Sequence, residues 1–223
     1  MDNRVIAGCM NRGGVFNVSG ELHDRFTSFT ADSLVRLHLD GGKMLLRVNN
    51  DDERTLMTIG ESALAVTALA RQNLLAFVEP LPTKGILGSY TPNHTVEELV
   101  KWIGVCAALG ETSRNTWLKV PYVPHFEQVA LATTLPLLLL GGPARPDPLL
   151  TLTDFSAGIG SGSNVRGAMV GHNVMFPGDD DPLAMTVAMS AVIRNGAPPH
   201  TAIEMMAGVR DTKMDGLTQY FKN

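Results

Sequence analysis

The chain has 223 residues, 44% hydrophobic and 18% charged, with a formal net charge of −4 at pH 7. This is enough to bury one sizeable core, and the length suits a single α/β domain. Scattered Lys and Arg leave no electrostatic footprint for nucleic acid, "LATTLPLLLLGG" (131–142) is too short for a bilayer and is broken by Pro136, and "MDNRVIAG" has no basic n-region. A cytoplasmic protein without a nucleic-acid or membrane partner is expected.

Short apolar runs alternate with helical patterns along the chain. "RVIAG" (4–8) is the first predicted strand, followed by Cys9 and "MNRGG" (10–14). Cys9 and Cys106 lie in apolar contexts with no CxxC spacing, so both read as buried, reduced thiols. Asn11 and Arg12, with Gly13 and Gly14, either contact substrate or form an ordinary strand-to-helix loop. A helical pattern over 31–39 leads to the strand "KMLLRV" (43–48). "TLMTIGESALAVTALARQ" (55–72) and "TVEELVKWIGVCAALG" (95–110) carry apolar residues at i, i+3, i+4 and i+7, the amphipathic helix signal. Between them lies the strand "LLAFVE" (74–79). Thr95 with Glu98 predicts a capping box, and Gly110 is placed to end that helix.

The strands "TWLKVPY" (116–122), "LPLLLLG" (135–141) and "VRGAMVG" (165–171) follow, separated by helical segments over 125–133 and 149–161. Asp179–Asp180–Asp181 precedes Pro182, and Asp181 reads as a helix N-cap with proline in the first helical position, not as a metal site. His23, His38, His94, His125 and His200 have no ligand spacing and read as solvated or satisfied. Neither a metal nor another cofactor is expected.

Strands alternating with crossover helices mean a parallel sheet, either open or part of a barrel. Side-chain parity favours the barrel. Trp117, Lys119 and Pro121 share one face of their strand, while Leu118, Val120 and Tyr122 share the other. Phe77 and Glu79 oppose Ala76 and Val78 in the same way, and Lys43, Leu45 and Arg47 oppose Met44, Leu46 and Val48. An open sheet with helices on both faces does not tolerate charge on one face of three strands. A barrel does, because its active site lies at the C-terminal strand ends, and Arg47, Glu79 and Lys119 fall in the later half of their predicted strands. The expected fold is therefore α/β, a (β/α)8 TIM barrel with six of eight strands recognisable. It occupies residues 1–195, with a C-terminal helix or tail over 196–223.

A lysine walled by Trp117 has a desolvated amine, so its pKa should fall below the free value of about 10.4. A neutral amine attacks a carbonyl and forms an iminium, an electron sink for a C–C bond. That chemistry needs a proton carrier, and Glu79 on the neighbouring strand suits it. The alternative is a Lys119–Glu79 ion pair with structural duty only. Arg47 either binds anionic oxygens bidentately or pairs with Glu79. Gly141–Gly142 follows one strand, and Gly171–His172 follows the next. In barrels, loops at such positions build a phosphate site from backbone N–H groups.

From Lys119 through "LPLLLLGG", "NVRGAMVG" and "HNVMFPG" the chain resembles class I aldolases of the DeoC/LacD superfamily. It is similar to their fructose-bisphosphate, tagatose-bisphosphate and inositol-catabolism-type branches. "MNRGG", "DRFT" (24–27), "DGGKMLLRV" (40–48) and "VEPLP" (78–82) extend the likeness over most of the chain. The resemblance implies a metal-independent carbon–carbon lyase acting on a phosphorylated or polyhydroxylated ketose. It implies that Lys119 is the Schiff-base lysine, Glu79 the proton-transfer residue, and Gly141, Gly142 and Gly171 the phosphate loops. Asn11, Arg12, Arg47 and Trp117 are then candidate substrate contacts.

Two departures stand out. The family's VGRN is VGHN here, so His172 replaces a phosphate-facing arginine with a group neutral or half-charged at pH 7. The chain also starts at what resembles the third strand, without the first two β-α units and their acidic residue. Two further readings follow: an isomerase or decarboxylase using Lys119 electrostatically, or a non-catalytic sugar-phosphate-binding protein. The gap between "RVIAG" and "VRGAMVG" predicts a homo-oligomer, a destabilised chain, or cover by residues 196–223.

Overall fold

The computed structural model describes residues 4–12, 22–86, 89–142, 145–178 and 180–210. Its strands are β1 (Ala7–Cys9), β2 (Gly41–Val48), β3 (Leu75–Lys84), β4 (Thr91–Pro92), β5 (Thr116–Pro121), β6 (Leu137–Leu140) and β7 (Val165–Met169). Its helices are α1 (Ala31–Arg36), α2 (Arg54–Arg71), α3 (Val96–Ala107), α4 (Phe126–Leu131), α5 (Pro148–Ile159), α6 (His172–Met175), α7 (Pro182–Asn195) and α8 (Pro199–Val209). Six strands pair in the order β1-β2-β3-β5-β6-β7, every pair parallel. The result is a half-barrel, an incomplete (β/α)8 TIM barrel.

Alternation builds the two faces. Met44, Leu46, Val78, Leu118, Val120, Leu137 and Leu139 are fully buried toward the helices, where Leu69, Leu99, Ile103 and Leu152 meet them. Burying each such side chain contributes about 1.5–3 kcal/mol relative to exposure. The opposite positions, Lys43, Leu45 and Arg47 on β2 for example, are only half-buried. Lys43, Glu79 and Lys119 thus carry their charge on the concave face, as the parity predicts.

Three local features differ from expectation. First, β3 does not stop at Glu79 but runs on to Lys84, so Glu79 lies mid-strand. Pro80 and Pro82 cannot donate to a ladder, and a proline is tolerated where one side of its strand is unpaired. Pairing with β5 ends at Val78, while pairing with β2 continues to Pro82. The freed end of β3 then turns back as an antiparallel hairpin with β4. Second, the register between β6 and β7 shifts from Leu137↔Val165 to Leu138↔Gly167. Arg166 is the extra residue, and Gly167 takes φ +154. This bulge brings Met169 to the concave face.

Third, the capping box at Thr95 is only half made. Thr95 accepts the Glu98 N–H at 3.3 Å, but the Glu98 carboxylate accepts from Trp102 Nε1 at 3.0 Å and Asn50 Nδ2 at 3.1 Å instead. The full box stands at α1, between Thr30 and Ser33. Asp181 caps α7 as expected, accepting the Ala184 N–H at 2.7 Å. Asp179, Gly13 and Gly14 lie outside the described residues.

Cys106 is buried, but Cys9 is exposed, because β1 is an edge strand that pairs with β2 alone among the described residues. α8 packs on α5 and α7 through the fully buried Ala202 and Met206. These residues of the 196–223 segment therefore cover outer helices, and residues 211–223 lie outside the described part. No helix among the described residues is long and apolar enough to cross a membrane.

Candidate active site

Strand register decides which concave-face residues meet. Phe77 pairs with Trp117, so Glu79 and Lys119, each two residues further on, are also neighbours. Lys119 Nζ donates to Glu79 Oε1 at 3.1 Å. From β2 on the other side of β3, Lys43 Nζ comes within 2.5 Å of Glu79 Oε2, an ion pair without hydrogen-bond alignment. A carboxylate whose side chain is 7% exposed thus stands between two lysines. Burial lowers the Lys119 pKa below the ordinary lysine range. Glu79 opposes that shift and the charge of Lys43 adds to it.

Lys119 and Glu79 open into a cavity of about 540 Å³ that is also lined by Gly141, Gly142, Gly171 and His172. Six of the residues singled out from the sequence therefore share one space. The three glycines sit there for different reasons. A Cβ on Gly141 would lie 2.5 Å from Asn173 Oδ1 and 2.8 Å from Val170 Cγ1, so the close approach of the β7–α6 loop requires glycine. Gly142 turns the chain at φ +67, in the left-handed region. Gly171 has no neighbour within 4 Å of a built Cβ and leaves its side of the cavity open. His172 is exposed, with its ring beside Phe176.

The remaining candidates lie elsewhere. Arg47 does not pair with Glu79. Its Nε and Nη2 donate to Asp24 Oδ1 at 3.0 and 2.6 Å, and its backbone N–H donates to Oδ2 at 2.7 Å. Arg12 Nη1 joins the same Oδ1 at 3.1 Å. Asn11 is buried, and its amide spans backbone groups: it donates to the carbonyls of Leu45 and Asp24 and accepts the Leu45 N–H. Arg47 lines a separate space of about 180 Å³, which shares Leu81 and His94 with the lysine cavity. Trp117 lies one layer below Lys119, against Phe77, in an apolar cleft of about 440 Å³ reached by Cys9 and Lys43.

Sequence reasoning missed three residues. Lys43 was legible only as a member of the charged face, Asp24 only as part of "DRFT". His94 had no signal at all, since a hairpin carries it over the cavity. No three His, Cys, Asp or Glu side chains among the described residues converge as metal ligands would.

Residues 1–191 match the Cgl0159-like family. The chain belongs to that family. Cgl0159 from Corynebacterium glutamicum is 31% identical to it, with a TM-score of 0.81 over 87% of this chain and 65% of its own. This Cgl0159-like chain therefore spans just under two thirds of that relative. The fructose-bisphosphate aldolase of Slackia heliotrinireducens is 14% identical, with a TM-score of 0.71 over 95% of this chain and 69% of its own. A Schiff-base-forming fructose-1,6-bisphosphate aldolase is 17% identical, with a TM-score of 0.64 over 83% and 70%. At such identities the aldolases share the fold alone. No curated protein matches the chain.

Proposed function

We propose that this Cgl0159-like chain carries the catalytic face of a class I aldolase, with Lys119 as nucleophile and Glu79 as its proton carrier. The observation that supports this most is the desolvated Lys119 amine, 3.1 Å from a buried carboxylate at the wall of a ligand-sized cavity. Glu79 takes the ammonium proton, and the neutral amine adds to a ketone. The same carboxyl returns a proton when the carbinolamine loses water, leaving an iminium that draws the electrons of the adjacent C–C bond. Lys43 gives the cluster a second positive charge. Lys43, beside Oε2, pairs with the Glu79 carboxylate before that proton transfer and again once the proton has been returned.

The substrate is a phosphorylated or polyhydroxylated ketose. Its anionic end lies against Gly141, Gly142, Gly171 and His172, while Arg47, bonded to Asp24, lines the adjoining space. The fold shared with a Schiff-base-forming aldolase supports the reading at the level of architecture. The test is borohydride reduction in the presence of dihydroxyacetone phosphate or fructose 1,6-bisphosphate, read by peptide mass spectrometry. The expected result is an adduct on Lys119 that disappears in Lys119→Met. No adduct, under conditions that trap a control aldolase, overturns the covalent mechanism.

A further inference from the structure

Cleaving an aldol through an iminium takes two proton transfers at different places. One serves the lysine nitrogen, where Glu79 stands. The other removes the proton from the hydroxyl on the carbon that leaves, and nothing assigned so far stands there. Both oxygens of Glu79 face amines, Oε1 toward Lys119 and Oε2 toward Lys43, so this carboxyl serves the cavity floor.

His94 lines the same cavity as Lys119 and Glu79. It stands two residues after the end of β4, so the hairpin that prolongs β3 carries it to the cavity wall. It lines the Lys119 cavity, the space beside Arg47, and a third space that runs along Gly141 and Gly142 to Tyr122 and Arg145. Its ring makes no hydrogen bond with any described residue, although the side chain is half-buried. A half-buried imidazole without a protein partner has one nitrogen to accept a proton and one to donate. Desolvation lowers its pKa below the ordinary histidine value, which keeps it in the accepting form near neutrality. The other histidine of this cavity, His172, is exposed and lies against Phe176.

The hairpin that presents His94 is anchored. Tyr90 Oη donates to Asp52 Oδ2 at 2.5 Å, and Arg54 bonds both Asp52 and Tyr90. This ties the hairpin to the start of α2, so the imidazole is held by fixed structure on both sides, Tyr90 before it and the Thr95 cap of α3 after it.

We infer that His94 is the acid/base group for the hydroxyl of the aldol carbon. In cleavage, an imidazole nitrogen takes that proton as the C–C bond breaks. The bonding pair moves into the iminium on Lys119 to give an enamine, and the O–H pair becomes the carbonyl of the released aldehyde. In synthesis, the imidazolium returns the proton to the new alkoxide. No oxidant, metal or further reactant enters the balance. The assignment rests on the Lys119 reading, and the two are separable by experiment.

The experiment compares wild type with His94→Gln and His94→Ala, using dihydroxyacetone phosphate and glyceraldehyde 3-phosphate as probes. Borohydride trapping of the ketone on Lys119 reports the first half-reaction, and joining of ketone to aldehyde reports the second. Loss of a general base typically slows its step by about 10²–10⁴-fold. Expected are trapping within about two-fold of wild type in both variants, a loss in that range for condensation, and partial rescue of His94→Ala by added imidazole. Condensation unchanged in His94→Gln overturns the assignment, and so does parallel loss of trapping and condensation without imidazole rescue. A wild type that traps the ketone but joins it to no aldehyde also overturns it, leaving Lys119 as nucleophile. A wild type that does not trap at all overturns both readings.

Discussion

Two clusters on the concave face have the same composition of charge and opposite character. Arg12–Asp24–Arg47 and Lys43–Glu79–Lys119 each set two cations on one carboxylate, with the cations similarly shielded in both. Asp24 accepts four hydrogen bonds from the two arginines, counting one backbone N–H. Glu79 accepts one, from Lys119, and its Oε2 has an ion-pair neighbour but no aligned donor. Arginine keeps its proton in proteins and its planar fork matches a carboxylate. Lysine is a point charge whose pKa moves when it is buried. The first cluster is saturated and permanently charged, so it holds the 22–25 loop against β2. The second is under-bonded and able to exchange protons, which is what a reacting site requires.

That contrast breaks most visibly under mutation. Asp24→Asn removes the carboxylate charge that both guanidiniums share and is expected to cost about 3–5 kcal/mol of stability, read from urea denaturation. If it costs less than about 1 kcal/mol, the cluster is not structural. Glu79→Gln keeps the shape and removes the proposed proton carrier. It is expected to slow borohydride trapping by about 10²–10⁴-fold while shifting the urea midpoint less than Asp24→Asn does. Equal stability losses in the two variants would erase the distinction between the two clusters.

Lys43→Met sharpens the electrostatic side. Lys43 pushes the Lys119 pKa down, and its removal also leaves Glu79 with Lys119 as its one lysine. Both changes favour the charged amine, so the pH dependence of trapping, which rises as Lys119 loses its proton, moves toward alkaline pH. A profile unchanged in Lys43→Met would remove Lys43 from the account. The same depressed pKa has a stability signature. Between the folded value and about 10.4, the unfolded chain binds one more proton than the folded one, so this residue makes stability rise with pH across that window. Lys119→Met should flatten that rise.

The smallest effects concern the glycines. In Gly141→Ala the new methyl meets Asn173 Oδ1 and Val170 Cγ1, an overpacking expected to cost about 1–3 kcal/mol. Gly171→Ala meets no atom within 4 Å and should stay within about 0.5 kcal/mol of wild type. Thermal melts of the pair decide whether the two loops are as different as the packing says.

The period-two alternation of Lys43 to Val48, of Leu75 to Glu79 and of Trp117 to Tyr122 determined on its own which residues face the helices and which face the barrel interior. A one-residue slip would move each apolar set to the wrong side, so pattern and register are tied together by burial energy. Helix periodicity and the Asp181–Pro182 cap were legible for the same local reason. The partners of the charges were not. Arg47 finds Asp24 because the 22–25 loop returns over β2, and Lys43 finds Glu79 because β2 and β3 pair in one particular register. Pro80 and Pro82 read as a strand end, yet the strand continues where one of its sides is unpaired, and the hairpin it forms carries His94 to the cavity. Local periodicity records how deeply a side chain is buried. Which atom it meets depends on where distant loops and strands return in space, and only the tertiary structure decides that.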